Sequence, residues 1–169
     1  MALINLTGIQ PTDYDVLDDD ASPSEGATVA VPLARLLEAD EAFFKAAGNV
    51  GAIIDTETSY DALAAIADKI AFAVIEFPAF GDGRGFSLAV RLRKDYDFKG
   101  EIRAAGPVIP DQALFLLRAG FDTVEATDER KTAFEAALER FPAFYQTDFG
   151  GQVSVAHARH SAEGQRKAS

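Results

Sequence analysis

Residues 50–77 read VGAIIDTETSYDALAAIADKIAFAVIEF, and the fold turns on this stretch. Val50–Asp55 is a short run rich in β-branched residues, and Phe72–Phe77 is a second. Between them, in the segment from Ser59 to Ile70, Leu63, Ile66, Ala67 and Ile70 recur at helical spacing. Strand, helix and strand within about 30 residues is the unit that places two parallel strands side by side with a right-handed crossover.

The pattern continues on both sides. Gly85–Tyr96 supplies the next helix, with Phe86, Leu88, Ala89, Val90, Leu92 and Tyr96 on a broad apolar arc and Ser87, Arg91 and Lys94 opposite. Arg93 falls among the apolar residues and must reach an edge or a carboxylate. Glu101–Gly106 reads as a third strand. Pro110 in a first turn, Asp111 near the positive helix end and Gly120 past the far end frame the following helix. Phe121–Ala126 is a fourth strand. Thr127 is placed to cap a last helix whose stripe is Phe134, Ala137, Leu138 and Phe141, with Pro142 as its stop. Upstream, Val31–Gly48 reads as one helix, with Pro32 in its first turn and Gly48 as its stop.

Such alternation defines an α/β fold, a parallel sheet of about four strands alternating with helices. Periodicity does not separate consecutive strand order, as in a half-barrel, from a doubly wound order. Because a lone half-barrel exposes strand edges, the expected architecture is an open three-layer sheet, with a half-barrel as the alternative. At 169 residues the chain suits a single α/β domain, assigned to residues 29–150. Residues 1–28 carry Asp13, Asp15, Asp18, Asp19, Asp20 and Glu25 without a basic residue and read as an acidic flexible arm. Residues 151–169 are small and polar and read as a flexible tail.

Composition narrows the chemistry. With no cysteine, the chain has no disulfide, thiolate nucleophile, zinc-thiolate site or iron-sulfur ligand, and its two histidines, His157 and His160, both lie in the polar tail. The expectation is no resident cofactor, flavin being the one redox group that needs no such ligand. A net charge of −11 opposes nucleic acid and anionic membranes. No apolar run approaches the roughly 20 residues that span a bilayer, and the start lacks a secretory signal, so the expected setting is the cytoplasm.

Residues 77–87 read FPAFGDGRGFS and follow the second strand, where ligands of parallel α/β folds gather. Gly81, Gly83 and Gly85 can open backbone N–H groups toward an oxyanion, and Arg84 can add a bidentate cation. The dinucleotide fingerprint fails, since its last glycine would fall on Phe86, and a phosphate-loop ending is absent. The competing reading is a tight turn pinned by an Asp82–Arg84 contact. Asp55, Glu76 and Glu125 end strands in the manner of magnesium-holding sets, but no lysine or histidine stands by as a base, and no metal site is assigned. Arg103, inside an apolar strand, needs an anion or a carboxylate such as Glu76 or Glu125.

FPAFGDGRGFS, RLRKDYDFKGEIRAAG, DQ and RAGFD together resemble a family of uncharacterised bacterial proteins labelled probable oxidoreductases of sulfite reduction. The resemblance covers about Phe77 to Glu125. It carries over Asp82, Gly83, Arg84, Gly85, Ser87, Arg93, Gly100, Glu101, Arg103, Ala104, Gly106, Asp111, Gln112, Arg118, Gly120, Phe121 and Asp122. Pro107 and Pro110 depart from its pattern. It implies a setting beside sulfate and sulfite reduction enzymes.

The leading expectation is an accessory protein that binds a reductase or an oxyanion such as sulfate or phosphate. The alternative is a small enzyme acting on a phosphorylated or sulfated substrate. Whether the chain is an enzyme, and whether it forms a homo-oligomer, stay open. The expected anion-binding set is Gly81, Asp82, Gly83, Arg84, Gly85, Ser87, Arg93, Arg103, Asp111 and Gln112.

Overall fold

The computed structural model describes residues 1–18 and 20–140. Seven strands form one sheet: β1 Ala2–Asn5, β2 Asp15–Val16, β3 Thr28–Pro32, β4 Asn49–Asp55, β5 Phe72–Glu76, β6 Glu101–Ala105 and β7 Thr123–Ala126. Their spatial order is β1-β7-β6-β5-β4-β3-β2. Every pairing is parallel except that of β1 with β7. The helices are α1 Leu33–Glu38, α2 Glu41–Ala46, α3 Tyr60–Ile66, α4 Arg84–Asp95, α5 Ala113–Ala119 and α6 Lys131–Glu139.

Neighbouring strands from β2 to β7 are consecutive in the chain, so the sheet curls into a half-barrel and not into the open three-layer sheet expected first. The physical reason is chirality. Right-handed crossovers between consecutive parallel strands carry every helix to the same side. That side holds the main core, where Val29, Val31, Ala52, Ile54, Ala73, Ile75, Ile102, Ala104 and Val124 meet Leu36, Leu63, Ile66, Leu88, Leu92, Leu116 and Phe134. The concave face carries a separate small cluster of Ala30, Phe72, Val74 and Ala105, with Tyr14 and Ile53 against it.

Four of the strands and their helices lie where periodicity places them. Three strands do not appear in the periodicity. Residues 1–28, whose acidity suggests an arm, contribute β1 and β2, because Ile4 is buried beside β7 and backbone pairing is indifferent to flanking charge. The expected single helix over Val31–Gly48 is instead the end of β3 followed by two short helices. Asp40 breaks it: its backbone is extended and its side chain accepts from the Phe43 amide at 2.9 Å, capping α2. Gly120 ends α5 at φ +99° as expected. Thr127 makes no side-chain cap; a 3-10 turn at Asp128–Arg130 starts the last helix in its place. Phe141, Pro142 and the tail from 151 to 169 lie outside the described residues.

Candidate functional site at the carboxyl edge

β4 and β5 end in register, Asp55 beside Glu76, and both side chains face the concave side. Beyond them the chain turns through Thr56–Glu57 and through the loop from Phe77 to Gly83. A cleft of about 500 Å³ opens there, lined by Asp55, Thr56, Glu57, Glu76, Phe77, Pro78, Arg84 and Gly106. A neighbouring hollow of about 420 Å³ shares Thr56, Glu57 and Arg84 and adds Ser87. Arg84 therefore stands in the wall between them.

The loop is closed on itself. Asp82 accepts from the Arg84 amide (3.0 Å), from Arg84 Nε (3.0 Å) and Nη2 (2.7 Å), and from the Thr56 hydroxyl (2.7 Å). These donors, Arg84's side chain foremost, hold the Asp82 carboxyl well below the usual carboxylate range, and Asp82 in turn raises the Arg84 guanidinium. Glu57 adds a longer contact to Arg84 at 3.5 Å. None of Gly81, Gly83 and Gly85 adopts a positive φ, so none holds backbone angles closed to other residues. A Cβ on Gly81 or Gly83 would meet nothing, whereas one on Gly85 would lie 2.6 Å from the Phe77 ring. Gly85 is there to let α4 approach that ring, which packs on Phe86 and Phe121 at 5.2 and 5.9 Å.

Gln112 ties the next strand-helix connection to this loop, its Oε1 accepting from the Ile109 amide and its Nε2 donating to the Phe80 carbonyl at 3.2 Å. Asp111 beside it is exposed. Gly106, at φ +100°, brings the backbone against Phe77, where a Cβ would lie 2.2 Å from the carbonyl oxygen. The rim so formed presents Phe80, 57% exposed, and one turn along from Gln112, Phe115, 62% exposed.

The ten residues expected to bind an anion do not converge. Gly81, Asp82, Gly83, Arg84, Gly85 and Ser87 share the loop and the start of α4, and Asp111 and Gln112 flank it. Arg93 lies at the far end of α4, donating to the carbonyls of Phe98 (2.7 Å), Gly100 (2.8 Å) and Gly120 (2.9 Å) and pairing with Asp122. Nine residues along a helix carry it about 13 Å from Arg84. Arg103 is on the concave face, paired with Glu101 (2.9 Å) and Glu125 (3.5 Å). Both contacts are the carboxylate type that apolar surroundings demand, and Glu76 takes no part in Arg103's.

Sequence reasoning missed Thr56 and Glu57, which have no local signal, and Phe80, whose signal was an aromatic inside a glycine-rich turn. Glu101 and Asp122 were carried by the resemblance but not assigned to a site. Among the described residues no group of three or more histidine, cysteine, aspartate or glutamate side chains could hold a metal ion. None of the described helices is long and apolar enough to cross a membrane.

Fold and site together define an α/β half-barrel with an acidic carboxyl-edge cleft beside an internally clasped loop. The chain belongs to the family described as "Bacterial protein of unknown function (DUF934)", whose model matches residues 51–156. No curated protein matches the chain.

Proposed function

We propose that this protein is an accessory protein of assimilatory sulfate and sulfite reduction that docks on a reductase through its carboxyl rim, in the cytoplasm. The sulfur setting rests on the motif resemblance. The choice of a protein partner over a free oxyanion rests on one observation: Asp82 and Arg84 of FPAFGDGRGFS are paired with each other, while Phe80 points outward from a backbone held by Gln112. An exposed aromatic on a rigid turn is the kind of anchor that concentrates interface energy. An oxyanion would instead meet Asp55, Glu57, Glu76 and Asp82 around a single arginine already paired. A net charge of −11 suits a basic partner surface and fast association.

Biolayer interferometry with purified sulfite reductase of the same bacterium tests this. Saturable binding that Phe80→Ala weakens by about 30-fold, the range of an anchor residue, is expected. Absence of binding, or binding indifferent to Phe80→Ala, overturns the docking surface. The enzyme reading keeps one supporting observation, that Arg84 is half exposed where it borders the cleft. Calorimetric binding of sulfate or phosphate that is abolished by Arg84→Ala would favour it.

A further inference from the structure

The chain between β1 and β2 crosses the concave face of the half-barrel, and what it covers is organised like a ring-binding site. The Tyr14 ring stacks on Phe72 with centroids 5.0 Å apart and planes at 26°. The Arg103 guanidinium lies 4.8 Å from the centre of the same ring. The Tyr14 hydroxyl donates to Glu125 at 3.3 Å. An apolar face, a cation for the π-system and an acceptor for a hydroxyl thus converge on one side chain. In a closed barrel the opposite strands would fill this space. Here a segment without regular structure does so.

We propose that residues 7–14 are a removable strap, and that the seat of Phe72, Arg103 and Glu125 beneath it is a binding site for a planar ring bearing a hydroxyl donor, occupied in this structure by the chain's own Tyr14. The proposal does not depend on the docking rim, which is at the strand ends.

Three observations carry it. First, the strap is held lightly: Leu6, whose amide donates to the Asp122 carbonyl at 2.7 Å, marks its fixed end, whereas none of residues 7–14 is buried and no backbone-to-backbone hydrogen bond joins them to the sheet among the described residues. Its ties to the rest of the chain are side-chain ones: the Asn5 side chain accepts from the Thr7 and Gly8 amides and donates to the Ile9 carbonyl, the Thr12 amide donates to Glu101 (2.6 Å), Arg103 Nη2 to the Thr12 carbonyl (2.6 Å) and the Thr7 hydroxyl to Asp122 (3.1 Å), beside the Tyr14 contacts. Segments with few buried contacts open at a fraction of the global unfolding free energy. Second, both strap ends are anchored, in β1 and β2, so it lifts without unpairing the sheet. Third, the seat stays assembled when the strap leaves. Arg103 keeps its pair with Glu101 at 2.9 Å, and Glu101 keeps the Thr123 hydroxyl, both from the sheet itself. A seat organised in advance loses little on binding.

The ligand class follows from the seat. Burial, then the Glu125 charge, pushes the Tyr14 phenol up to about 12, so it is a neutral donor at neutral pH, and an exogenous ring must bring a comparable O–H or N–H.

Amide exchange on the full chain and p-cresol, the side chain of tyrosine as a free molecule, test the idea. In the wild type the Thr12 amide is expected to exchange at least about 100-fold faster than the buried Phe77 amide, which donates to the Ala105 carbonyl of the sheet. In Tyr14→Ala, p-cresol is expected to give saturable shifts at Phe72 and Arg103, with roughly tenfold weaker binding for toluene, which lacks the hydroxyl. Adding Glu125→Gln should narrow that preference. Exchange of Thr12 in step with Phe77 overturns the strap whether or not Tyr14→Ala folds. A folded Tyr14→Ala chain that binds p-cresol no better than toluene, or binds neither, overturns the seat.

Discussion

Arg103 stands between two carboxylates on a face where its side chain is 8% exposed and that of Glu101 only 2%. Removing the cation leaves Glu101 charged in a poor solvent, and unpairing a buried ion pair typically costs about 3–5 kcal/mol. Arg103→Met is therefore expected to lower unfolding stability by about that amount in urea melts. A loss under about 1 kcal/mol would show that the pair is dispensable. Arg93 obeys the same logic at the other end of α4. Its guanidinium serves three carbonyls and Asp122, and no apolar side chain of similar length replaces those donors. Residue type correctly announced that each arginine needed a partner. Which partner depended on face and on strand neighbours, which a one-dimensional pattern does not carry.

At the scale of the element, the loop and first turn of α4 contain three glycines with different physical reasons for being there. Gly81 and Gly83 sit at ordinary backbone angles in open space, so Gly81→Ala and Gly83→Ala are expected to leave stability unchanged or raise it by up to about 1 kcal/mol through the unfolded chain. Gly85→Ala places a methyl 2.6 Å from the Phe77 ring and should destabilise, by about 1–3 kcal/mol for an overpacked core. Thermal melts of the three variants separate these outcomes, and equal effects would mean that α4 is not seated on Phe77. The Asp82–Arg84–Thr56 clasp joins two neighbouring strand-helix connections, so the tight-turn alternative to an anion cradle is the geometry that formed. Three glycines and an arginine looked alike for either outcome. The distinction lay in Thr56, 26 residues away.

Across the whole molecule, the strap and the concave face make stability sensitive to pH at both extremes. The folded chain holds the Tyr14 proton to about pH 12, whereas an exposed tyrosine releases it near 10. Folded binding exceeds unfolded binding between these values, so the contribution is intact below about pH 10 and is lost as pH climbs through about 12. Urea midpoints measured from about pH 9 to 12 should fall more steeply for wild type than for Tyr14→Phe. Parallel curves would show that Tyr14 is solvated. Glu101 works in the opposite sense. Burial raises its pKa, but the Thr123 hydroxyl, the Thr12 amide and the Arg103 charge outweigh burial and the net shift is downward. Its contribution is present above the ordinary carboxylate pKa and disappears as pH falls through the lower folded value.

The core of the α/β fold was legible without coordinates. Strands β4 to β7 and their helices alternate with periods that reflect local burial, and short-range signals such as Gly120 past a helix end mark their bounds. The location of the cleft was legible too, because parallel strands deliver their loops to one edge. Strands β1 to β3, the consecutive order that curls the sheet, and the separation of Arg84, Arg93 and Arg103 were not. Each depends on contacts between residues far apart in the chain, such as Ile4 opposite Val124 and Thr12 against Glu101, 89 residues away. Local propensity records which residues turn inward. The partner that they meet there is set by how the layers close, and only the folded chain brings a tyrosine from an acidic leader onto Phe72 and beneath Arg103.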